Sequence, residues 1–140
     1  MLIKESAIVW FEGLLSRDSD AFAQLFSENG VYADPAFGLV RRGREFVRLH
    51  HRKWHAAIPD FVGAVERILI DNQTAIIQYV AEGTFSGEPL TAIQPTFRSF
   101  KARVVILLDY DFDGKIVMCT EYYDRSIMPG GMSTPFTDDI

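Results

Sequence analysis

The chain has 140 residues and a mass of 15.9 kDa, enough for one domain built around a single buried core. Its formal charge of -5, from 14 Lys and Arg against 19 Asp and Glu, argues against nucleic-acid phosphate as a partner, because that affinity comes from clustered cations. No apolar run reaches the length of a membrane span, and the single Cys119 excludes an internal disulfide and cannot by itself build a zinc site.

From Ile3 to Leu15, the residues Ile3, Ala7, Trp10, Phe11, Leu14 and Leu15 recur at helical spacing and predict an amphipathic first helix. Lys4 and Glu5 interrupt that run, so it lacks a signal-peptide pattern, and a soluble, cytoplasmic protein is expected. The string SRDSD stops the helix, with Ser19 or Asp20 expected to cap a short second helix. That helix carries Phe22, Leu25 and Phe26 and ends at Asn29-Gly30. Val31 to Ala33 reads as a brief strand that breaks at Asp34-Pro35 ahead of a Gly-bearing turn.

A third helix is expected from about Arg44 to Ala57, with Phe46, Val47, His50, Trp54 and Ala57 on one stripe, before Pro59. Arg41, Arg42, Arg44, Arg48, Arg52 and Lys53 read as a solvated basic face. Four β runs follow: Phe61 to Asp71, Thr74 to Phe85, Phe97 to Asp111 and Lys115 to Arg125, the last two joined by an Asp113-Gly114 hairpin. Helices first and a meander afterwards predict one α+β domain over 1–140, with helices on one face of a curved sheet and 129–140 a loosely held tail.

Strand parity selects which polar side chains reach the interior. Counting along the last strand groups Ile116, Met118, Thr120, Tyr122 and Asp124 on one face, and Val117, Cys119, Glu121 and Tyr123 on the other. In the two strands before, Phe100 to Tyr110 and Ile77 to Phe85 place alternate apolar residues together. Ala81 and Gly83 either leave room for a ligand there or let a helix pack closely.

The strings VYADP, GREFVRLH, IPDF, EGTFSG, FRSFKARVV and DGKIVMCTEYYD, in that order behind two helices, resemble SnoaL-like polyketide cyclases. These belong to the nuclear-transport-factor-2-like superfamily, which also holds the ketosteroid isomerases. The resemblance implies a cone-shaped α+β barrel, a curved and mostly antiparallel sheet wrapped by three N-terminal helices around an apolar cavity. It also implies a homodimer through the sheet, an apolar small-molecule substrate, and chemistry without metal or other cofactor. Neither nucleic acid nor membrane is expected as a partner. Asp34 matches the isomerase general base, but Phe11 replaces the expected oxyanion tyrosine and Leu108 the second donor, so steroid isomerisation by that arrangement is not expected. Asp124 resembles the cyclase acid/base aspartate, while Phe85 and Thr120 replace a frequent His and Trp.

A carboxylate on an apolar wall loses solvation, which raises its pKa toward neutrality and suits it to proton transfer. Asp124 and Asp34 are therefore the expected acid/base residues, with His50 assisting and Tyr122 polarising an oxygen. Asp34 has a plainer reading as an Asx turn before Pro35. Trp10, Phe11, Tyr32, His51, Trp54, Tyr79, Phe85, Leu108 and Thr120 are expected around the substrate, and His55 is expected to turn away. The expected activity is cyclisation or isomerisation next to a carbonyl of a bulky polyketide- or terpenoid-like compound. A binding module without chemistry, or a hydrolase of an epoxide or lactone, is the alternative.

Overall fold

A computed structural model describes residues 2–90 and 92–127, so the tail expected at 129–140 lies outside the described residues. Helix α1 (Ile3–Leu15) buries Ser6, Ala7, Trp10, Phe11 and Leu14 along one stripe, as its spacing predicts. Helix α2 (Ser19–Gln24) is capped by Asp18 and not by Ser19 or Asp20: the Asp18 carboxylate accepts the Ala21 N–H at 3.0 Å. It also stops before Phe26, which opens strand β1 (Phe26–Asp34) opposite Ile116. The ring of Phe26 packs on Phe22 at 5.5 Å, so the helix-like spacing of these two residues serves a helix-to-strand corner.

Strand β2 (Leu39–Arg42) occupies what reads in sequence as a turn and the start of a basic face. It folds back on β1 through Pro35 to Gly38, pairing Leu39 with Asp34 and Arg41 with Tyr32. Pleating then sends Arg42 outward and Arg41 inward, where it is 4% exposed; the solvated-face reading fails for that residue. Helix α3 (Arg44–Ala57) buries Val47, His51, His55 and Ala57, while Phe46 is exposed. Its inner stripe is thus rotated from the expected one, and His55 is buried instead of turned away.

Strands β3 (Val62–Asp71), β4 (Thr74–Thr84), β5 (Ser99–Tyr110) and β6 (Ile116–Tyr122) follow as the sequence predicts, and a single 3-10 turn spans Arg125–Ile127. The sheet runs β2-β1-β6-β5-β4-β3, unclosed, and antiparallel except where β1 lies parallel to β6. Three helices on a curved six-stranded mixed sheet make the α+β order that the sequence predicts and the cone that the family resemblance implies. Among the described residues no helix is long and apolar enough to cross a membrane.

One irregularity changes the face that β6 presents. Tyr110 pairs with Ile116 and Asp109 with Met118, so Val117 is an extra residue opposite no partner, a β-bulge. Below the bulge Ile116 points inward; above it Cys119 does, and Glu121 and Tyr123 follow on the same side. Parity counted from Ile116 therefore fails past Val117.

At Ala81 and Gly83 the two sequence readings divide. Ala81 lines the cavity, whereas a Cβ on Gly83 would stand 2.4 Å from Ile58 Cγ2, so the end of α3 packs directly on the strand there. The loop after β4 is fastened to the same helix end, because the N–H groups of Gly87 and Glu88 donate to the carbonyls of Ala57 and Ala56 at 2.9 and 3.0 Å. A Cβ on Gly87 would fall 1.9 Å from the Ala56 oxygen. The variant Gly87→Ala is expected to lose about 1–3 kcal/mol of stability by overpacking, read as a lower urea midpoint at unchanged slope.

Candidate functional site

The inner faces of β1, β2, β4, β5 and β6 and the α3 side surround a cavity of about 130 Å³. Its wall is divided. Ile58, Phe61, Ala81, Phe85, Phe100 and Ala102 form an apolar end. Tyr32, Asp34, Arg41, His50, Glu121 and Tyr123 form a polar end.

The polar end follows from the one parallel strand pair. Tyr32 and Asp34 are two residues apart on β1 and share its inner face, as do Glu121 and Tyr123 at the end of β6. The β1–β6 register sets Tyr32 beside Cys119 and Ala33 beside Thr120, which brings Asp34 level with Glu121. Each tyrosine then reaches across to the other strand's acid. The Tyr32 hydroxyl donates to Glu121 Oε2 at 2.7 Å, and the Tyr123 hydroxyl donates to Asp34 Oδ2 at 2.7 Å.

Asp34 is 5% exposed, and burial raises its pKa above the ordinary carboxylate value. Hydrogen bonds from Tyr123, from Glu121 and from the backbone N–H groups of Phe37 and Ala36 pull the other way. Glu121 is raised further: desolvation is the largest cause, the Asp34 charge the next, and Tyr32 opposes them. By surface area Glu121 is only half-buried, yet its carboxyl lies deep behind the cavity mouth, and that depth sets the solvation penalty. Asp34 Oδ1 is buried and accepts no hydrogen bond from a fixed donor. A hydrogen bond between the two acids needs a proton on one of them, since two ionised carboxyls side by side have none to offer. The directions of the two shifts favour the charge on Asp34 and the proton on Glu121. The Asx-turn and base readings of Asp34 are both true, because the turn's N–H groups help to hold its charge.

His50 lies against Tyr32, ring centroids 4.6 Å apart. Burial, with help from the Arg41 charge, lowers its pKa to about 3, so it is a neutral member of the polar end. His51 and His55 have a different task. His51 Nε2 donates to the Gly13 carbonyl at 2.9 Å and its Nδ1 accepts the Ser19 hydroxyl at 2.6 Å, while His55 Nε2 donates to the Leu14 carbonyl at 2.8 Å. One helical turn apart on α3, they satisfy carbonyls that the end of α1 leaves open. Burial holds His51 down to about 4 and lowers His55 as well.

The expected site residues are only partly brought together. Asp34, His50, Tyr32, His51, Trp54, Tyr79 and Phe85 line the cavity. Asp124 does not. Past the bulge it faces solvent and caps the 3-10 turn, accepting the Ser126 N–H at 2.9 Å and hydroxyl at 2.7 Å, which lowers its pKa. Tyr122 is 50% exposed on the outer face, and Thr120 is also on that side, beside Leu107 and Ala33. Trp10, Phe11 and Leu108 are core: Trp10 packs on Phe22 and Phe11 on Tyr79. Glu121, Tyr123 and Arg41 were missed. The signal that could have found the first two is Cys119, an apolar residue out of phase with Ile116. Among the described residues no cluster of three or more His, Cys, Asp or Glu is arranged to hold a metal ion.

These pKa shifts make stability depend on pH in two opposite senses. His50 and His51 titrate lower when folded than when unfolded, so their contribution is complete above about pH 6.5 and is lost as the pH falls toward 4. Glu121 titrates higher when folded, so its contribution is complete below about pH 4 and is lost as the pH rises. Urea midpoints should accordingly show Glu121→Gln more stable than the parent at about pH 8, with the gap closing at about pH 4. His50→Gln should flatten the fall on the acid side.

A model of the SnoaL-like domain matches residues 8–118. No curated protein matches the chain in sequence. Among solved structures, a protein from Jannaschia sp. CCS1 assigned as a SnoaL-like polyketide cyclase superposes with a TM-score of 0.81 at 15% identity, over 95% of this chain and 92% of that one. A Catenulispora acidiphila DSM 44928 protein with a ketosteroid isomerase-like fold, solved with trimethylamine, gives 0.77 at 21% over 94% of both. The epoxide hydrolase/cyclase-like enzyme SalBIII, named with pyran ring formation in the polyether salinomycin, gives 0.72 at 20%, over 89% of this chain and 92% of that one. At such identities the structures speak to fold alone. Sequence match and fold agree, and the chain belongs to the SnoaL-like domain family.

Proposed function

We propose that the protein is an acid/base enzyme that moves a proton next to a carbonyl of a bulky apolar substrate, without help from a cofactor. The observation that carries this reading is the Asp34–Glu121 pair on the wall of an apolar cavity, each acid accepting a tyrosine hydroxyl and each pushed up by burial. Asp34 takes the proton from the carbon beside the carbonyl, and the C–H electron pair moves toward the carbonyl oxygen. Glu121 gives its proton to that oxygen, so no free enolate charge develops in an apolar site. The enol then attacks a second carbonyl within the same molecule, closing a ring as its hydroxyl proton returns to Glu121 and the proton on Asp34 passes to the new alkoxide; or it takes the Asp34 proton at another carbon while Glu121 recovers its own, giving an isomer. Tyr32 and Tyr123 stay protonated, since burial raises both, and hold the two carboxyls in line.

A second reading is favoured by the same proton on Glu121. It could pass to an epoxide oxygen while Asp34 takes one from an attacking water, giving a diol. Turnover of styrene oxide without any carbon deprotonation would select it. Asp124, which faces water and caps a turn, has no part in either.

Nitrobenzisoxazole, a neutral aromatic probe whose ring opens with a colour change when a base removes its C–H proton, tests the proton transfer directly. The parent protein is expected to accelerate that opening, with a rate that rises with pH as Asp34 ionises above its ordinary value. Asp34→Asn should lose at least about 100-fold, and Asp124→Asn nothing. Full activity in Asp34→Asn rejects the assignment.

We also propose homodimerisation through the outer sheet face. Its support is a row that crosses all six strands, in which Val40, Ala33, Leu107, Ile76 and Leu69 are apolar and Thr120 is the one hydroxyl. Sedimentation is expected to give twice 15.9 kDa. Leu69→Lys, at an exposed position, should shift it to monomer.

A further inference from the structure

One row of the sheet shapes the apolar end of the cavity. Along the β4–β5 ladder the inward pairs are Ala75–Leu108, Ile77–Ile106, Tyr79–Val104, Ala81–Ala102 and Gly83–Phe100. In every other row at least one partner is large, as a close-packed interior requires; Ala81–Ala102 alone is small on both strands. Both alanines are buried and both line the cavity, so the space above them is a gap inside the protein and not a dip in its surface.

The neighbouring rows limit that gap. Toward the acids, Tyr79 stands up from β4, with the Phe11 ring set edge-on against it at 5.1 Å. On the other side Ile58 of the α3 end occupies the place over Gly83 and leaves no room for a Cβ there. Tyr79 and Gly83 are four residues apart, about 14 Å of strand, and the side chains of Tyr79 and Ile58 take up part of that length. The Trp54 ring, which also lines the cavity, meets Phe61 at 90° and Phe100 at 63°, so an interlocked set of rings closes this end. A cavity needs roughly 10–15 Å³ for each water-sized occupant, so a volume of about 130 Å³ takes about ten non-hydrogen atoms.

From this geometry we propose that the paired alanines set the size of the substrate: the hydrocarbon resting on Ala81 and Ala102 is one ring or two fused rings, and a third fused ring is stopped between Tyr79 and Ile58. The bulk of the substrate is thus bounded at two rings, with its carbonyl left facing the acids. This rests on the proton-transfer reading for the role of Asp34 and Glu121, and not for the fit of the rings. A larger side chain at either alanine fills the space that the guest takes.

Acetophenone, acetonaphthone and acetylphenanthrene carry the same carbonyl on one, two and three fused rings. An open apolar surface binds them in order of area, each added ring tightening the complex. Calorimetry on the full chain should instead show acetonaphthone binding more tightly than acetophenone, and acetylphenanthrene at least about tenfold more weakly than acetonaphthone. Acetylphenanthrene binding as tightly as acetonaphthone overturns the inference with no variant needed. Ala102→Leu should weaken acetonaphthone at least about tenfold, and its urea midpoint should not fall, because the added carbons enter open space. A lower midpoint would place Ala102 against a filled core and overturn the inference, as would a variant with native near-UV circular dichroism and parental affinity. Nitrobenzisoxazole has two fused rings and lies within the limit. Loss of its turnover with the ring order as expected therefore removes the enzymatic reading alone; turnover with the three-ring ketone bound tightest removes this one alone.

Discussion

Two carboxyls side by side in an apolar wall are the constraint around which the rest of this protein is arranged. Neither Asp34 nor Glu121 can ionise at its ordinary pH there, because burial withholds the water that would solvate the charge and each acid penalises the other. One proton between them eases the conflict: each acid accepts one tyrosine hydroxyl, and the turn N–H groups beside Asp34 favour the charge there over Glu121. The parallel β1–β6 pair makes this possible.

The histidines show how the same helix serves architecture and site at once. On α3, His51 and His55 point to the end of α1 and close its open carbonyls, while His50, one residue along, points into the cavity. The neutral state suits all three for one reason: each is desolvated, and His51 and His55 must both donate to carbonyls without carrying a charge into the core. The apolar end is secured separately, by Gly83 letting Ile58 onto the sheet and by Gly87 letting the following loop bond the helix end. These contacts hold the second half of α3, and the space between that helix and the sheet is the cavity.

The division of that space has a chemical consequence. An apolar end with no polar side chain offers a guest nothing but contact area, so orientation must come from the other end. There the acid pair, a buried guanidinium and a neutral imidazole lie within a few strand steps. A substrate that entered reversed would bury its polar groups against Phe85 and Phe100 and leave the acids unserved.

Much of this was written into the chain. Helix α1, helix α3, four long β runs and the α+β order all follow from apolar spacing and from breakers such as Asp34-Pro35 and Asp113-Gly114, since burial periodicity is a local property of sequence. Asp34, His50, Tyr32 and the cavity-facing side of β4 were legible on the same grounds, the first helped by family resemblance. What sequence alone did not reveal depends on partners distant in the chain. The bulge at Val117 exists only against Asp109 and Tyr110, and it exchanges Glu121 and Tyr123 for Tyr122 and Asp124 on the inner face. Arg41 reads as one of a basic run until β2 folds back on β1 and pleating turns it inward. Periodicity and breakers determined the α+β order, and the family resemblance implied a cone with an acid in its wall. Only the register between strands some 89 residues apart decided which second acid faces it, because one extra residue in a strand moves every later side chain to the opposite face.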